Sequence, residues 1–219
     1  MTPSDEPYGG APDSDALAGG PDGLPRCFWA VGGAPEYVAY HDEEWGRPVV
    51  TDDGLFERLT LEAFQSGLSW LTIMRKRPAF REAFAGFRAA AVAAFDDADR
   101  ERLLTDAGIV RNRSKVDAAI ANARAALPVI DEHGSLAAFF WRFRPQAHEA
   151  PRSRADFVAA SPESAALAKE LKRRGFRFVG PTTAYSLMQA AGILNDHVLG
   201  CCVRDEVEAG QLTAAARFA

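Results

Sequence analysis

From Cys27 onward the apolar residues of this chain recur at helical spacing almost without interruption, and that feature narrows the fold more than any other. Leu55, Phe56, Leu59 and Ala63 fall on one helical face, as do Val116, Ala119, Ile120 and Ala123, whereas alternating strand patterns are scarce. The expectation is an all-α fold without internal repeats. Helix punctuation agrees. Asp52 or Asp53 can cap a helix reaching about Gly67, Asp96 or Asp97 one through Asp106, and Ser114 followed by Asp117 resembles a capping box. The polar, proline-interrupted stretch from Pro145 to Pro162 reads as a long connection before a helix around Glu163 to Arg173, and a further apolar helix is expected from about Thr182 to Gly192.

A chain of 219 residues with 47% hydrophobic composition can bury one good core. Residues 1–25 stand apart, because they hold ten Gly or Pro and few large apolar side chains, too little buried surface to offset the entropy of ordering. They are expected to form a disordered acidic tail, residues 26–203 the folded body and residues 204–219 a C-terminal extension. There is no basic leader with an apolar stretch and no apolar run of about eighteen residues, so no membrane association is expected and the location reads as cytoplasmic. Cys27, Cys201 and Cys202 are too few and too oddly placed for a disulfide framework, which leaves metal ligation or simple burial.

The net charge of -5 argues against a nucleic-acid partner until its distribution is considered. Asp5, Glu6, Asp13, Asp15 and Asp22 give the tail all of that charge, so the rest of the chain is neutral. Its basic residues cluster at Arg75–Lys76–Arg77, at Arg111, Arg113 and Lys115, and at Lys172–Arg173–Arg174 with Arg177. Solvated helix ends explain each cluster taken singly; only convergence on one face would make a footprint.

Glu62 does not fit an ordinary surface position. On a helix it lies over Leu55 and beside Leu59, which places a carboxylate on the apolar stripe. Such a group is either a core glutamate bonded to a backbone donor or an arginine, or a pocket carboxylate with a raised pKa that awaits a ligand. Gly67, Leu68, Ser69 and Trp70 follow, and Phe28, Trp29, Tyr37, Tyr40 and Trp45 crowd the segment after Cys27. Rings beside a carboxylate suit a flipped purine, and they equally suit a plain core. Ala107–Val110 reads as a helical hairpin around Gly108, whose free N–H groups at the next helix start would favour a phosphate, with Arg111, Arg113 and Lys115 adding charge. His197 and Cys201 would share one helix face, and Cys27 and His41 could complete a tetrahedral metal site. His133 and His148 lie in polar surroundings and read as surface residues.

Four stretches carry a resemblance: residues 37–46 (YVAYHDEEWG), 61–70 (LEAFQSGLSW), 106–115 (DAGIVRNRSK) and 174–202 (RGFRFVGPTTAYSLMQAAGILNDHVLGCC). In that order they resemble the constitutive bacterial DNA-3-methyladenine glycosylases of type I, in the helix-hairpin-helix glycosylase superfamily, over roughly residues 26–203. The resemblance implies that alkylated double-stranded DNA is the partner and that an N-glycosidic bond is hydrolysed after base flipping. The pocket motifs hold no lysine to form a Schiff base, so a monofunctional enzyme is expected, and handling one lesion at a time suggests a monomer with no obligate protein partner. The resemblance also implies one structural zinc ion on Cys27, His41, His197 and Cys201, joining the N- and C-terminal segments. Glu62, Tyr40 and Trp70 coincide with the residues that hold the excised base, with Trp45 and Trp29 as neighbouring aromatics. Gly67 and Leu68 fall in the wedge loop that enters the DNA stack, and Gly108, Arg111, Arg113 and Lys115 in the phosphate-binding hairpin. Departures are Ala63–Phe64, Pro181 and Ser114, none of them in the pocket or the ligand set. A non-catalytic lesion binder and a zinc-stabilised helical adaptor are the competing readings.

Overall fold

The computed structural model describes residues 15–218. Ten α-helices occur among them: α1 Pro35–Glu43, α2 Asp52–Gln65, α3 Trp70–Ala83, α4 Ala89–Ala93, α5 Asp97–Thr105, α6 Arg113–His133, α7 Leu136–Trp141, α8 Pro162–Arg173, α9 Pro181–Ala190 and α10 Arg204–Ala215. The mostly helical expectation holds. No helix among the described residues is long and apolar enough to cross a membrane.

α2 runs through the centre of the core. Every residue from Leu55 to Phe64 is buried, because α3, α6, α7 and α9 all pack around it. Phe56, Phe64, Phe80, Phe84 and Phe87 are fully buried against one another, with ring centroids of adjacent pairs 4.9–6.3 Å apart. Aromatic pairs at such spacings add about 0.5–1.5 kcal/mol each beyond area burial, so this cluster fixes α3 on α2 firmly.

Several local expectations need correction. Residues 1–14, where most of the tail was expected, lie outside the described residues. From Asp15 on the chain is ordered: Leu17–Gly19 and Pro25–Cys27 form a short antiparallel ribbon, β1 and β2, with Leu17 opposite Cys27 and Ala16 fully buried. Arg26 closes it by bonding Asp22 and Asp42 together. Strands of three residues are too short to leave a periodic trace in sequence. Thr51, not an aspartate, caps α2, accepting from Gly54 N at 3.3 Å. Asp52 instead accepts from Leu136 N at 2.8 Å in the first turn of α7, whose own cap is Ser135. Asn112 caps α6 in place of Ser114, and Asp117 is taken by Arg100. Asp96 caps α5 as expected, in a capping box with Asp99.

Residues 46–49 meet the end of α9 and the segment after it. Gly46 N donates to Gln189 O at 3.1 Å and Val49 N to Ala191 O at 2.9 Å. Gly192, with φ of 67°, makes this approach possible, since a Cβ there would sit 2.5 Å from the Gly46 carbonyl. α10, within the stretch expected as an extension, is packed onto the same junction: buried Gln211 donates from Nε2 to Gly46 O and Leu194 O, both at 3.0 Å.

Candidate active site

Between residues 29–45, α2, α3 and α9 lies a cavity of about 260 Å³, lined by Trp29, Tyr37, Tyr40, Trp45, Glu62, Gln65, Trp70, Phe157, Ser186 and Gln189. Pockets for drug-sized ligands run to roughly 300–1,000 Å³, so this one suits a single heterocycle. Five expected site residues meet here: Glu62, Tyr40, Trp70, Trp45 and Trp29. Trp29 and Trp45 stand edge to face with centroids 4.9 Å apart, and the Tyr40 and Trp70 rings are 5.3 Å apart and tilted by 52°.

Glu62 is 7% exposed and its carboxylate has no hydrogen-bond partner among the described residues. Burial pushes its pKa up to about 8, and Arg58, one turn earlier on α2, pulls only weakly the other way. The guanidinium of Arg58 is committed elsewhere, donating to Glu44 at 2.8 Å. Trp70 Nε1 is likewise buried without a partner. Burial, with the nearby Glu62 charge, also raises the Tyr40 hydroxyl above the ordinary tyrosine range. An aromatic-lined cavity thus carries an unanswered carboxylate on its wall, the arrangement expected where a polar ligand belongs.

Leu68, in the turn joining α2 to α3, is 41% exposed between the cavity residues Gln65 and Trp70. Gly67 precedes it with φ of 79°, a conformation that a side chain would strain. Ser69 closes the turn by capping α3 through Thr72 N at 3.2 Å. The loop is anchored from below by Lys115. That lysine is buried and donates from Nζ to Phe64 O at 2.9 Å and Ser66 O at 2.5 Å, answering carbonyls at the end of α2. The expectation that Lys115 faces DNA is therefore corrected: its charge is spent inside the protein.

The hairpin is also partly spent. Gly108 N donates to Asp106 Oδ1 at 2.7 Å, and the glycine is needed because a Cβ would meet Ala79 at 2.9 Å. Lys76 ties this turn to α3 through the carbonyls of Ala107 and Gly108. Arg111 and Arg113 are exposed at the start of α6, Arg113 with a loose contact to Glu101 at 3.5 Å. In the other basic clusters Arg75 pairs with Glu36, buried Arg77 with Glu57 and Glu44, and Arg173 and Arg174 with Glu170, while Lys172 and Arg177 are exposed.

Cys27, His41, His197 and Cys201 converge behind the cavity, all four buried, with ligand atoms within 4.8 Å of one another. His41 Nε2 lies 3.2 Å from His197 Nδ1 and 3.4 Å from Cys201 Sγ, and His197 Nδ1 lies 3.5 Å and 3.7 Å from the sulfurs of Cys201 and Cys27. A tetrahedral ion with bonds of about 2.0–2.3 Å requires edges of about 3.3–3.8 Å, so the four residues fit one metal ion. Both imidazoles are oriented for it. His41 Nδ1 is held by Asp42 Oδ1 at 2.7 Å and His197 Nε2 by Trp45 O at 3.0 Å, which turns the other nitrogen of each ring to the centre. His197 and Cys201 do not share a helix as expected; a turn brings them together, with Cys201 N bonded to Val198 O at 2.9 Å. The cluster shares its residues' neighbours with the cavity, since Trp45 packs on His197 with centroids 4.7 Å apart and Tyr40 precedes His41.

Five cavity residues escaped the sequence reading as site residues: Tyr37, Gln65, Phe157, Ser186 and Gln189. Phe157 arrives on the 145–161 connection, set edge to face on Phe28 at 5.4 Å. Gln189 belongs to a polar network. Its Nε2 donates to Asp196 Oδ2 at 2.7 Å, as does the Tyr185 hydroxyl, and His148 Nε2 meets Asp196 Oδ1 at 2.5 Å. Burial opposes charge on Asp196, but these hydrogen bonds outweigh it and hold the carboxyl below its ordinary range. His148 is at the surface as expected, while His133 is half-buried beside Phe139 and Arg174.

The sequence profile of the methyladenine glycosylase family matches residues 29–205. The chain is 46% identical over 182 residues to DNA-3-methyladenine glycosylase 1 of Escherichia coli (strain K12), an alignment covering 82% of this chain and 96% of that one. A crystal structure of 3-methyladenine DNA glycosylase I superposes with a TM-score of 0.75 at 44% identity, covering 81% of this chain and 98% of the other. A variant of a 3-methyladenine DNA glycosylase I in complex with 3-methyladenine matches with a TM-score of 0.75 at 34% identity, over 80% of this chain and 96% of that one. A profile match that spans every residue of the cavity, joined to identity of this extent, places the chain in the methyladenine glycosylase family.

Proposed function

We propose that this chain is a monofunctional base-excision repair glycosylase that hydrolyses the N-glycosidic bond of 3-methyladenine in alkylated double-stranded DNA, with the damaged nucleotide flipped into the cavity described above. The observation that carries this reading is Glu62, a buried carboxylate without a protein partner among aromatic rings. Its support is the family membership and the relative whose structure holds 3-methyladenine.

Adenine methylated at ring nitrogen 3 is a cation on a weakened glycosidic bond, so recognition matters more than acid strength. Burial raises the Glu62 carboxyl to about 8, which favours its protonated form near neutral pH. A cationic base beside it favours the ionised form, and the displaced proton leaves to solvent. Neutral adenine provides no such compensation for a buried charge. Trp70 and Tyr40 stack on the ring, and the cation gains a further cation–π contribution of about 0.5–2 kcal/mol over an aromatic face. Water then adds to the anomeric carbon of the sugar as the bond to the base breaks. The electron pair returns to the base, which leaves neutral, and the water's proton goes to solvent. Glu62 stabilises positive charge throughout. No lysine lines the cavity to form a Schiff base, which supports hydrolysis by water.

Leu68 fills the gap left by the flipped nucleotide, on a turn that Gly67 shapes and Lys115 anchors. Arg111 and Arg113 at the start of α6 contact phosphate. Cys27, His41, His197 and Cys201 hold one zinc ion. With four protein ligands it lends stability and fixes Tyr40, Trp45 and Trp29 in the cavity wall, and no catalytic step uses it. The test is release of free 3-methyladenine from alkylated duplex DNA, leaving a strand that breaks only on alkali treatment. A folded, metal-loaded protein that releases none contradicts the reading and leaves lesion binding in its place.

A further inference from the structure

Gln189 stands on α9 one turn from Ser186, and both line the cavity. Its amide is not free to turn. Asp196 is 2% exposed and its Oδ2 receives both Gln189 Nε2 and the Tyr185 hydroxyl, each at 2.7 Å, while His148 meets Oδ1. A carboxylate has acceptors only, so the –NH2 of Gln189 faces Asp196, which leaves Oε1 as the part of the amide available to a ligand in the cavity that the residue lines. Reversing the amide would set two acceptors against each other in a buried site.

We propose that Gln189 is a specificity-determining residue whose Oε1 accepts a hydrogen bond from the exocyclic amine of the flipped base, with Asp196, Tyr185 and His148 as the positioning residues that pin it. The proposal rests on the reading of the cavity as a 3-methyladenine site. Adenine carries a 6-amino donor where guanine carries a 6-oxo acceptor. A pinned acceptor therefore welcomes an N3-methylated adenine and repels an N3-methylated guanine, although both bases are cationic and both stack equally well. Charge and stacking select for alkylation; Gln189 selects between purines. Sites built to bond a particular polar group reject analogues lacking it far more strongly than apolar pockets reject shape changes.

The experiment measures release of 3-methyladenine and 3-methylguanine from the same methylated duplex by wild type, Gln189→Met and Tyr185→Phe, with melting temperature and bound metal determined for each. Gln189→Met keeps the side-chain volume and removes the acceptor; its preference for 3-methyladenine should fall by about tenfold, the weight of one hydrogen bond. Tyr185→Phe leaves the cavity wall unaltered and loosens the pin, and its preference should fall less, in the same direction. A purely structural role would lower melting temperature and both rates together without moving their ratio. An unchanged ratio in Gln189→Met overturns the proposal. If wild type itself releases no 3-methyladenine, the reading of the site fails first, and the two failures are told apart by that control.

Discussion

The molecule buries polar side chains in two contrasting ways, and α2 displays both. Near its start Glu57 is 9% exposed and answered twice at Oε1, taking Arg77 Nε at 2.5 Å and Arg81 Nε at 2.9 Å. Little more than a turn later Glu62 is as deeply buried and takes nothing. The cluster of Cys27, His41, His197 and Cys201 resembles Glu57 in this respect, since Asp42 and Trp45 O engage the outer nitrogens of both histidines. Where polar groups are saturated they hold the structure together; where one is left open, in a cavity, stability has been yielded to a ligand.

That contrast can be broken experimentally. Cys201→Ala should have the largest effect, because loss of a structural metal belongs to the class of changes exceeding about 4 kcal/mol. At about 2–4 °C per kcal/mol for a chain of this size, the melting temperature should fall by about 10 °C, with metal lost in parallel. Equal melting temperatures would remove the cluster from the saturated class. Glu57→Ala leaves buried Arg77 short of a partner and should cost about 3–5 kcal/mol by denaturant titration, with release of base from alkylated DNA retained in the folded fraction. Glu62→Gln should do the reverse. Its melting temperature should stay or rise, while single-turnover release of 3-methyladenine falls by about 100-fold, the scale of losing one preorganised electrostatic contact. A Glu62→Gln variant that melts early and still turns over would place Glu62 with Glu57.

The smallest expected difference separates two basic residues near the α6 start. Arg111 is exposed and Lys115 is buried on the carbonyls of Phe64 and Ser66. Arg111→Ala should lower the slope of log affinity for duplex DNA against log salt by about one, the loss of one phosphate contact, whereas Lys115→Met should leave the slope alone. Equal slope changes would show that Lys115 reaches DNA after all.

What the sequence made legible follows the same division. Glu62 stood out because a carboxylate on an apolar stripe breaks helical periodicity, and the aromatics stood out by density. The four residues of the Cys2His2 cluster were readable as residue types, although the turn that joins His197 to Cys201 was not, since spacing alone cannot distinguish a turn from a helix. Lys115 was misread because a long stem lets a lysine bury itself beneath its own helix, a choice fixed by tertiary packing. Gln189 and Ser186 were invisible for a related reason: single polar residues on an apolar helix look like ordinary exposed positions until the network around Asp196 is seen. The ribbon at residues 17–27 escaped because its three-residue strands are held by Arg26 and Asp42 and not by pattern.

The central claim is that Glu62 is kept buried and unpartnered, and its carboxyl titration tests that most directly. Between the ordinary value of 4.5 and about 8 the folded chain should hold one proton more than the unfolded chain. The resulting stability is full below 4.5 and is lost as pH rises through about 8. Carbon-13 NMR of the Glu62 carboxyl, assigned by comparison with Glu62→Gln, should show a midpoint near 8. A midpoint near 4.5 would mean that Glu62 is already solvated or paired, and the contrast with Glu57 would collapse.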